Sequence, residues 1–171
     1  DMERLVTITT RTKRPNEQDG VDYHIITEQD FQKRLAQNDL FEHAEVYGNH
    51  YGNSRGELQK IWDKNKIALA VVDIQGAMTI KKAFPEATYI FIEPDSLENL
   101  KERIRQRPMT DEAFAKRWAT VQTEMAQAKE CNFRVTNVEG KLGEAVAEVK
   151  NILETQPRER IEAIDESQKI R

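Results

Sequence analysis

The chain has 171 residues, roughly one domain of ordinary size, which excludes both a peptide and a multidomain assembly. Its 26 Lys and Arg against 30 Asp and Glu give a net charge of -4, so it lacks the overall basic bias of a nucleic-acid binder and must meet any phosphate with a local basic cluster. No apolar run approaches the ~18 residues of a membrane span, and a lone Cys131 can form neither an internal disulfide nor a thiolate metal cluster.

Leu5 to Thr10 is rich in β-branched residues and predicts a strand, followed by a polar loop from Arg11 to Gly20. Asp22 to Ile26 predicts another short strand. Thr27-Glu28-Gln29-Asp30 is a capping-box-like helix start, with Phe31 and Leu35 four apart behind it. Glu45-Val46-Tyr47 and His50-Tyr51 flank Gly48-Asn49 and predict a hairpin turning there. Ser54-x-x-Glu57 then opens a helix that places Leu58 with Ile61 or Trp62 on one face.

Ile67 to Val72 is a continuous apolar run ending at Asp73, the pattern of a strand buried on both faces of a parallel sheet. A helix carrying Ala77, Met78 and Ile80 leads to Pro85, and Thr88 to Ile92 predicts a second buried strand that stops at Pro94. Ser96 caps a helix with Leu97, Leu100 and Ile104 at helical spacing. From Asp111 a longer helix repeats Phe114, Trp118, Val121, Met125 and Ala128, a stripe that reads as core. Phe133 to Thr136 predicts a strand, and Leu142 to Leu153 an amphipathic helix. The charged tail past Pro157 is expected to be solvated, and it could also pack on a second copy to make a homodimer. Strands alternating with helices from Ile67 onward argue for an α/β domain with a largely parallel sheet, and the stretch from Arg11 to Asp63 for a mixed insertion.

Basic residues collect in two places, Arg11, Lys13 and Arg14, and then Arg103, Arg105 and Arg107 followed by Lys116 and Arg117. Arginine carries a planar fork of donors that fits phosphate and stays charged at any working pH, so two clusters in an acidic chain suggest an anionic small molecule. A solvated charged helix face is the competing reading for the second cluster. Arg103 and Arg107, four apart, are expected to share a helix face, with a hinge at Pro108.

The ordered segments Thr9-Thr10-Arg11-x-x-Arg14, Gly20-Val21-Asp22-Tyr23, Phe41-Glu42-His43-Ala44-Glu45 running on to Gly48-Asn49-His50-Tyr51-Gly52-Asn53-Ser54, Asp73-Ile74-Gln75-Gly76 and the Arg103 to Arg117 stretch resemble guanylate kinase. The resemblance runs from about Val6 to Leu153. It implies a P-loop-kinase-like parallel sheet flanked by helices, with a mixed α+β GMP-binding insertion and a helical lid. The corresponding division is a core of 1–10, 67–102 and 118–171, a GMP-binding subdomain of 11–66 and a lid of 103–117. The implied reaction moves the γ-phosphoryl group of ATP to GMP with Mg²⁺ in the cytoplasm.

By the same resemblance, Arg11, Arg14, Tyr23 and Tyr51 hold the GMP phosphate. Glu42 accepts from guanine, Thr7 stands where a guanine-contacting Ser is usual, and Asn53 stands for a small hydroxyl residue. Asp73 is the expected magnesium-linked carboxylate, acting indirectly. Arg103, Arg107 and Arg117 match the arginines that close over the transferring phosphoryl group, where catalysis is mostly electrostatic. His24, His43 and His50 read as structural or exposed, and Cys131 as structural.

The chain contains no G-x-x-x-x-G-K-[ST] loop, which the resemblance places on a strand ahead of the T-T-R segment. The expectation is that the working enzyme has such a segment before Asp1. The composition, 33% charged and 38% hydrophobic, fits a core short of one strand. The alternative is a catalytically inactive relative that binds GMP or a phosphorylated or acidic protein partner. Val71 also departs from the family, which tends to have an acidic residue there.

Overall fold

The computed structural model describes residues 2–156. They divide into two compact units, 2–85 and 86–156, and each is mixed α/β. In the first, strand β1 (Met2–Arg4) pairs in parallel with β6 (Ile67–Leu69). A separate four-stranded sheet is built from β2 (Ile8–Thr9), β3 (His24–Ile25), β4 (Leu40–Val46) and β5 (Asn49–Ser54), in the order β3-β2-β5-β4. The strand expected over Leu5 to Thr10 is therefore two shorter ones. The chain leaves one sheet after Arg4 and joins the other at Ile8, and the intervening Leu5 N–H still bonds Leu69 O at 2.9 Å.

Helix α1 (Glu28–Ala36) starts where Thr27 predicts, its hydroxyl accepting from Asp30 N at 3.1 Å. Its Phe31 is fully buried against Ile8 and Leu40, with Ile26 and Leu35 around them. The β4–β5 hairpin turns on Tyr47 and Gly48, not on Gly48 and Asn49 as expected. Both turn residues have positive φ, 52° and 75°, the pairing a two-residue turn of the I′ kind needs. Asn49 is thereby free to begin β5.

Helix α2 (Arg55–Asp63) is capped by Ser54, which accepts from Gly56 N at 3.1 Å, and buries Leu58 and Ile61. The apolar run Ile67 to Val72 corrects a second expectation: it is a strand for only three residues, with Leu69 37% and Val71 67% exposed among the described residues. Pairing with the three-residue β1 ends there, so nothing in the ladder extends the strand toward Asp73. Helix α3 (Ile74–Ala83) follows, and Phe84 at its end meets Phe41 and Trp62 edge-on, with ring centroids 6.0 and 6.2 Å away.

In the second unit, β7 (Ile90–Pro94) and β8 (Phe133–Asn137) pair in parallel over five residues. Val135, Ala145 and Ile152 form the core under this pair, the last two from helix α6 (Leu142–Thr155). Helix α4 (Leu97–Arg105) is capped by Ser96, which accepts from Asn99 N at 3.0 Å. Helix α5 (Asp111–Gln127) buries Val121, while Phe114 and Trp118 stack with centroids 6.3 Å apart and are half-buried. Arg105 and Lys101 lie over these two rings, at 4.7 and 5.7 Å. Phe114 and Trp118 thus make a helix–helix contact, while Val121 and Ala128 of the same stripe are buried in the core. No helix among the described residues is long and apolar enough to cross a membrane. The tail past Pro157, on which the homodimer expectation rested, lies outside the described residues.

Candidate functional site

The first unit gathers two groups of polar side chains. One begins at an irregularity of β4, whose register against β5 shifts between Leu40 and Glu42. The extra residue breaks the usual in–out alternation, so that Leu40, Phe41 and Glu42 are all buried in succession. Glu42 is 4% exposed. Its cross-strand neighbour Asn53, 1% exposed, donates from Nδ2 to Glu42 Oε2 at 2.7 Å and accepts on Oδ1 from the Thr7 hydroxyl at 3.0 Å.

Glu42 also abuts the first turn of α3. A Cβ placed on Gly76 would lie 2.7 Å from Glu42 Oε1 and 3.2 Å from Asp73 Oδ1, so only glycine lets the helix approach this closely. Asp73 is the N-cap of that helix, its Oδ1 accepting from Gly76 N at 2.7 Å. Burial pushes the Glu42 carboxyl up to about 7, Asn53 opposes the shift, and the nearby Asp73 adds to it. The result is a buried carboxyl that sits near half-ionisation at neutral pH and lacks enough donors to hold its charge.

The second group lies on the loop after β2. Arg11 donates from Nη2 to Glu17 Oε1 at 2.7 Å and from Nη1 to Thr12 O at 2.7 Å, and its guanidinium lies 5.3 Å from the centroid of the Tyr23 ring. Tyr23 meets Tyr51 edge-on at 6.3 Å, and Tyr51 also interacts with Arg11. Glu17 holds the Arg11 guanidinium above its ordinary range, and Arg11 together with the Arg14 N–H holds the Glu17 carboxylate below its own. Arg14 N donates to Glu17 Oε2 at 2.9 Å, while the Arg14 guanidinium is more exposed and 3.6 Å from Glu17. The Arg11 Nε is buried without a hydrogen-bond partner. Two arginines beside two phenols are donors of the kind an anion can take up.

Of the residues singled out from sequence, the structure thus joins Thr7, Asn53, Glu42 and Asp73 at one place, and Arg11, Arg14, Tyr23 and Tyr51 at another. Thr7 and Tyr23 line one cavity of about 250 Å³, which both groups therefore reach. Glu17 and Gly76 were not singled out. The three-residue spacing from Arg11 to Arg14 to Glu17 and the glycine closing Asp73-Ile74-Gln75-Gly76 were the available signals. His43 is exposed, His24 half-buried, and His50 stacks on Phe31 at 5.1 Å with Nε2 3.3 Å from Glu28. Cys131 is half-buried.

In the second unit, Arg103 donates from Nε to Glu139 Oε2 at 2.7 Å and from Nη2 to Asn137 O at 3.4 Å, with Asp95 at 3.9 Å. It also lines a cavity of about 300 Å³ with Val138, Gly140 and Leu142. Arg107 does not share a helix face with Arg103, because α4 ends at Arg105. The residue before Pro108 is driven out of helical conformation. Arg117 lies in α5.

A family model described as guanylate kinase matches residues 2–156. The chain is 38% identical to a guanylate kinase of Clostridium perfringens over 149 residues, covering 86% of this chain and 68% of the relative. It is 39% identical to one from Homo sapiens over 150 residues, covering 86% and 76%. The crystal structure of guanylate kinase from Anaplasma phagocytophilum superposes with a TM-score of 0.74 at 30% identity, covering 90% of this chain and 74% of that one.

Proposed function

The chain belongs to the guanylate kinase family, and we propose that its first unit binds GMP with the base at Glu42 and the monophosphate at Arg11, Arg14, Tyr23 and Tyr51. The reaction is transfer of the γ-phosphoryl group of ATP to GMP, giving GDP and ADP. The observation that carries the base assignment is the buried Thr7–Asn53–Glu42 chain. An ionised carboxylate only accepts, and guanine offers two adjacent donors, N1–H and the 2-amino group, where adenine offers one donor and one acceptor. Docking guanine supplies the donors that Glu42 lacks, and so draws its proton off. Asn53 holds the carboxylate in plane from the other side, and Thr7 keeps the Asn53 amide from flipping.

At the other end, the phosphate accepts from the guanidinium groups of Arg11 and Arg14, while the phenols of Tyr23 and Tyr51 donate. Glu17, already bonded to Arg11 and to the Arg14 N–H, keeps the loop shaped for this before the nucleotide arrives. Arg103, Arg107 and Arg117 are assigned to the transferring phosphoryl group, whose spread charge is stabilised by fixed cations.

Mg²⁺ fits the residues in one limited way. Among the described residues no cluster of three or more His, Cys, Asp or Glu could hold a metal by itself. Mg²⁺ in such reactions is carried mainly by nucleotide phosphates and water with one or two carboxylates, and Asp73 is the carboxylate proposed to face it, indirectly. The ion would supply charge neutralisation between phosphates, and Asp73 keeps its Oδ1 committed to capping α3. The 11–66 stretch as GMP subdomain, 103–117 as lid and a cytoplasmic setting complete the proposal. GMP-dependent ADP release by the full gene product tests it, with AMP as the control. Turnover on GMP alone is expected, and equal turnover on both, or none, contradicts it.

A further inference from the structure

The cavity between the two groups has one wall that the base and phosphate assignments leave unused. Its lining is Arg4, Thr7, Glu17, Asp22, Tyr23 and Val71. Two of these are carboxylates and one is a cation. Arg11, behind them, is already paired with Glu17. A monophosphate carrying about -1.5 to -2 charge would thus meet two carboxylates there, and Arg4 is the one lining cation that can offset them.

We propose that Arg4 is a substrate-binding residue that shares the charge of the nucleotide's monophosphate, so that the cradle has three arginines. This rests on the reading of the Thr7 to Tyr51 residues as the GMP site. Arg4 is the last residue of β1, and its backbone is fixed by pairing with Leu69 and by the Leu5 N–H to Leu69 O bond that follows. Its Nη2 donates to the main-chain oxygen of Asp22, the residue before Tyr23. The guanidinium is thereby held beside the phosphate-side ring. Among the described residues that is its one hydrogen bond, and no carboxylate pairs with it, whereas Glu17 is bonded to both Arg11 and Arg14. Val71 lines the same cavity with an apolar side chain, which carries no acceptor to compete for Arg4. Nε and Nη1 remain to meet an anion, the fork that arginine presents to phosphate.

The test is calorimetric titration of the full chain and of Arg4→Gln and Arg4→Lys with GMP and with guanosine, which lacks the phosphate, at low and high salt. Arg4→Gln should weaken GMP about tenfold at low salt, with less loss at high salt, and leave guanosine unchanged. Arg4→Lys should retain part of the affinity. GMP binding within twofold of the parent in both variants, or an equal loss for guanosine, overturns the assignment. Arg14→Ala in the same series separates the two readings. If it weakens GMP and Arg4→Gln does not, Arg4 alone is misassigned. If neither does, the phosphate cradle is wrong.

Discussion

Asn53 and Glu42 face each other across the β4–β5 pair with the amide donating to the carboxylate at 2.7 Å, both nearly sealed from water. One neutral hydrogen bond is too little to hold a buried charge, which is why the carboxyl rises to about 7 despite it. The bond orients Glu42, and in the proposed site guanine completes its ionisation.

The first consequence concerns pH and binding. Free Glu42 is mostly protonated below about 7, and a protonated carboxyl cannot accept from both guanine donors. Affinity for guanosine should fall as pH drops from 7 toward 5.5, approaching tenfold per unit, and binding should release a proton in that range. Titration calorimetry in buffers of different ionisation enthalpy reads both. A flat profile contradicts the assignment.

Stability carries the opposite sign. The unfolded carboxyl ionises near its ordinary value of 4.5 and the folded one near 7, so between these the folded state binds the extra proton. Glu42 therefore makes the fold less stable as pH rises from about 4.5 to 7, by on the order of 3 kcal/mol when complete. Glu42→Gln can still accept from Asn53 and has no charge to bury. Its melting temperature relative to the parent should rise between pH 5 and pH 8, as thermal denaturation at both values will show.

Removing the partner should do the reverse. Asn53→Ala strips the one donor from Glu42 and leaves the Thr7 hydroxyl without its acceptor. A loss of about 1–3 kcal/mol in denaturant unfolding is expected, with the pH midpoint for guanosine binding moved upward. An unmoved midpoint would mean that Asn53 does not govern Glu42.

Gly76→Ala places a methyl group 2.7 Å from Glu42 Oε1. Either Glu42 swings away or α3 shifts, at about 1–3 kcal/mol of overpacking cost. GMP affinity should drop while Arg14→Ala remains additive with it, since the two are assigned to opposite ends of the nucleotide. Binding assays on the double variant check this.

Much of this was legible in sequence because it is local. Thr27, Ser54 and Ser96 cap the helices that follow them, and a cap needs only its own next few residues. The proposed site residues come from resemblance, not from spacing. Ile67 to Val72 misled, because an apolar run records a tendency to be covered and says nothing of how far a partner strand extends. Counting four from Arg103 and putting the break at Pro108 itself misplaces Arg107, because the helix already ends at Arg105. The extra residue in β4 arises from strand register, which leaves no periodic trace.

The central claim is that the Glu42 carboxylate reads guanine, and it is tested most directly by the dissociation constants of GMP and AMP for the parent chain and Glu42→Gln at pH 8. Glutamine presents one donor and one acceptor, which suits adenine better than guanine. The account predicts that GMP weakens by at least about tenfold and that its advantage over AMP shrinks. Unchanged GMP affinity in Glu42→Gln, with Arg14→Ala still impairing binding, would place the base elsewhere.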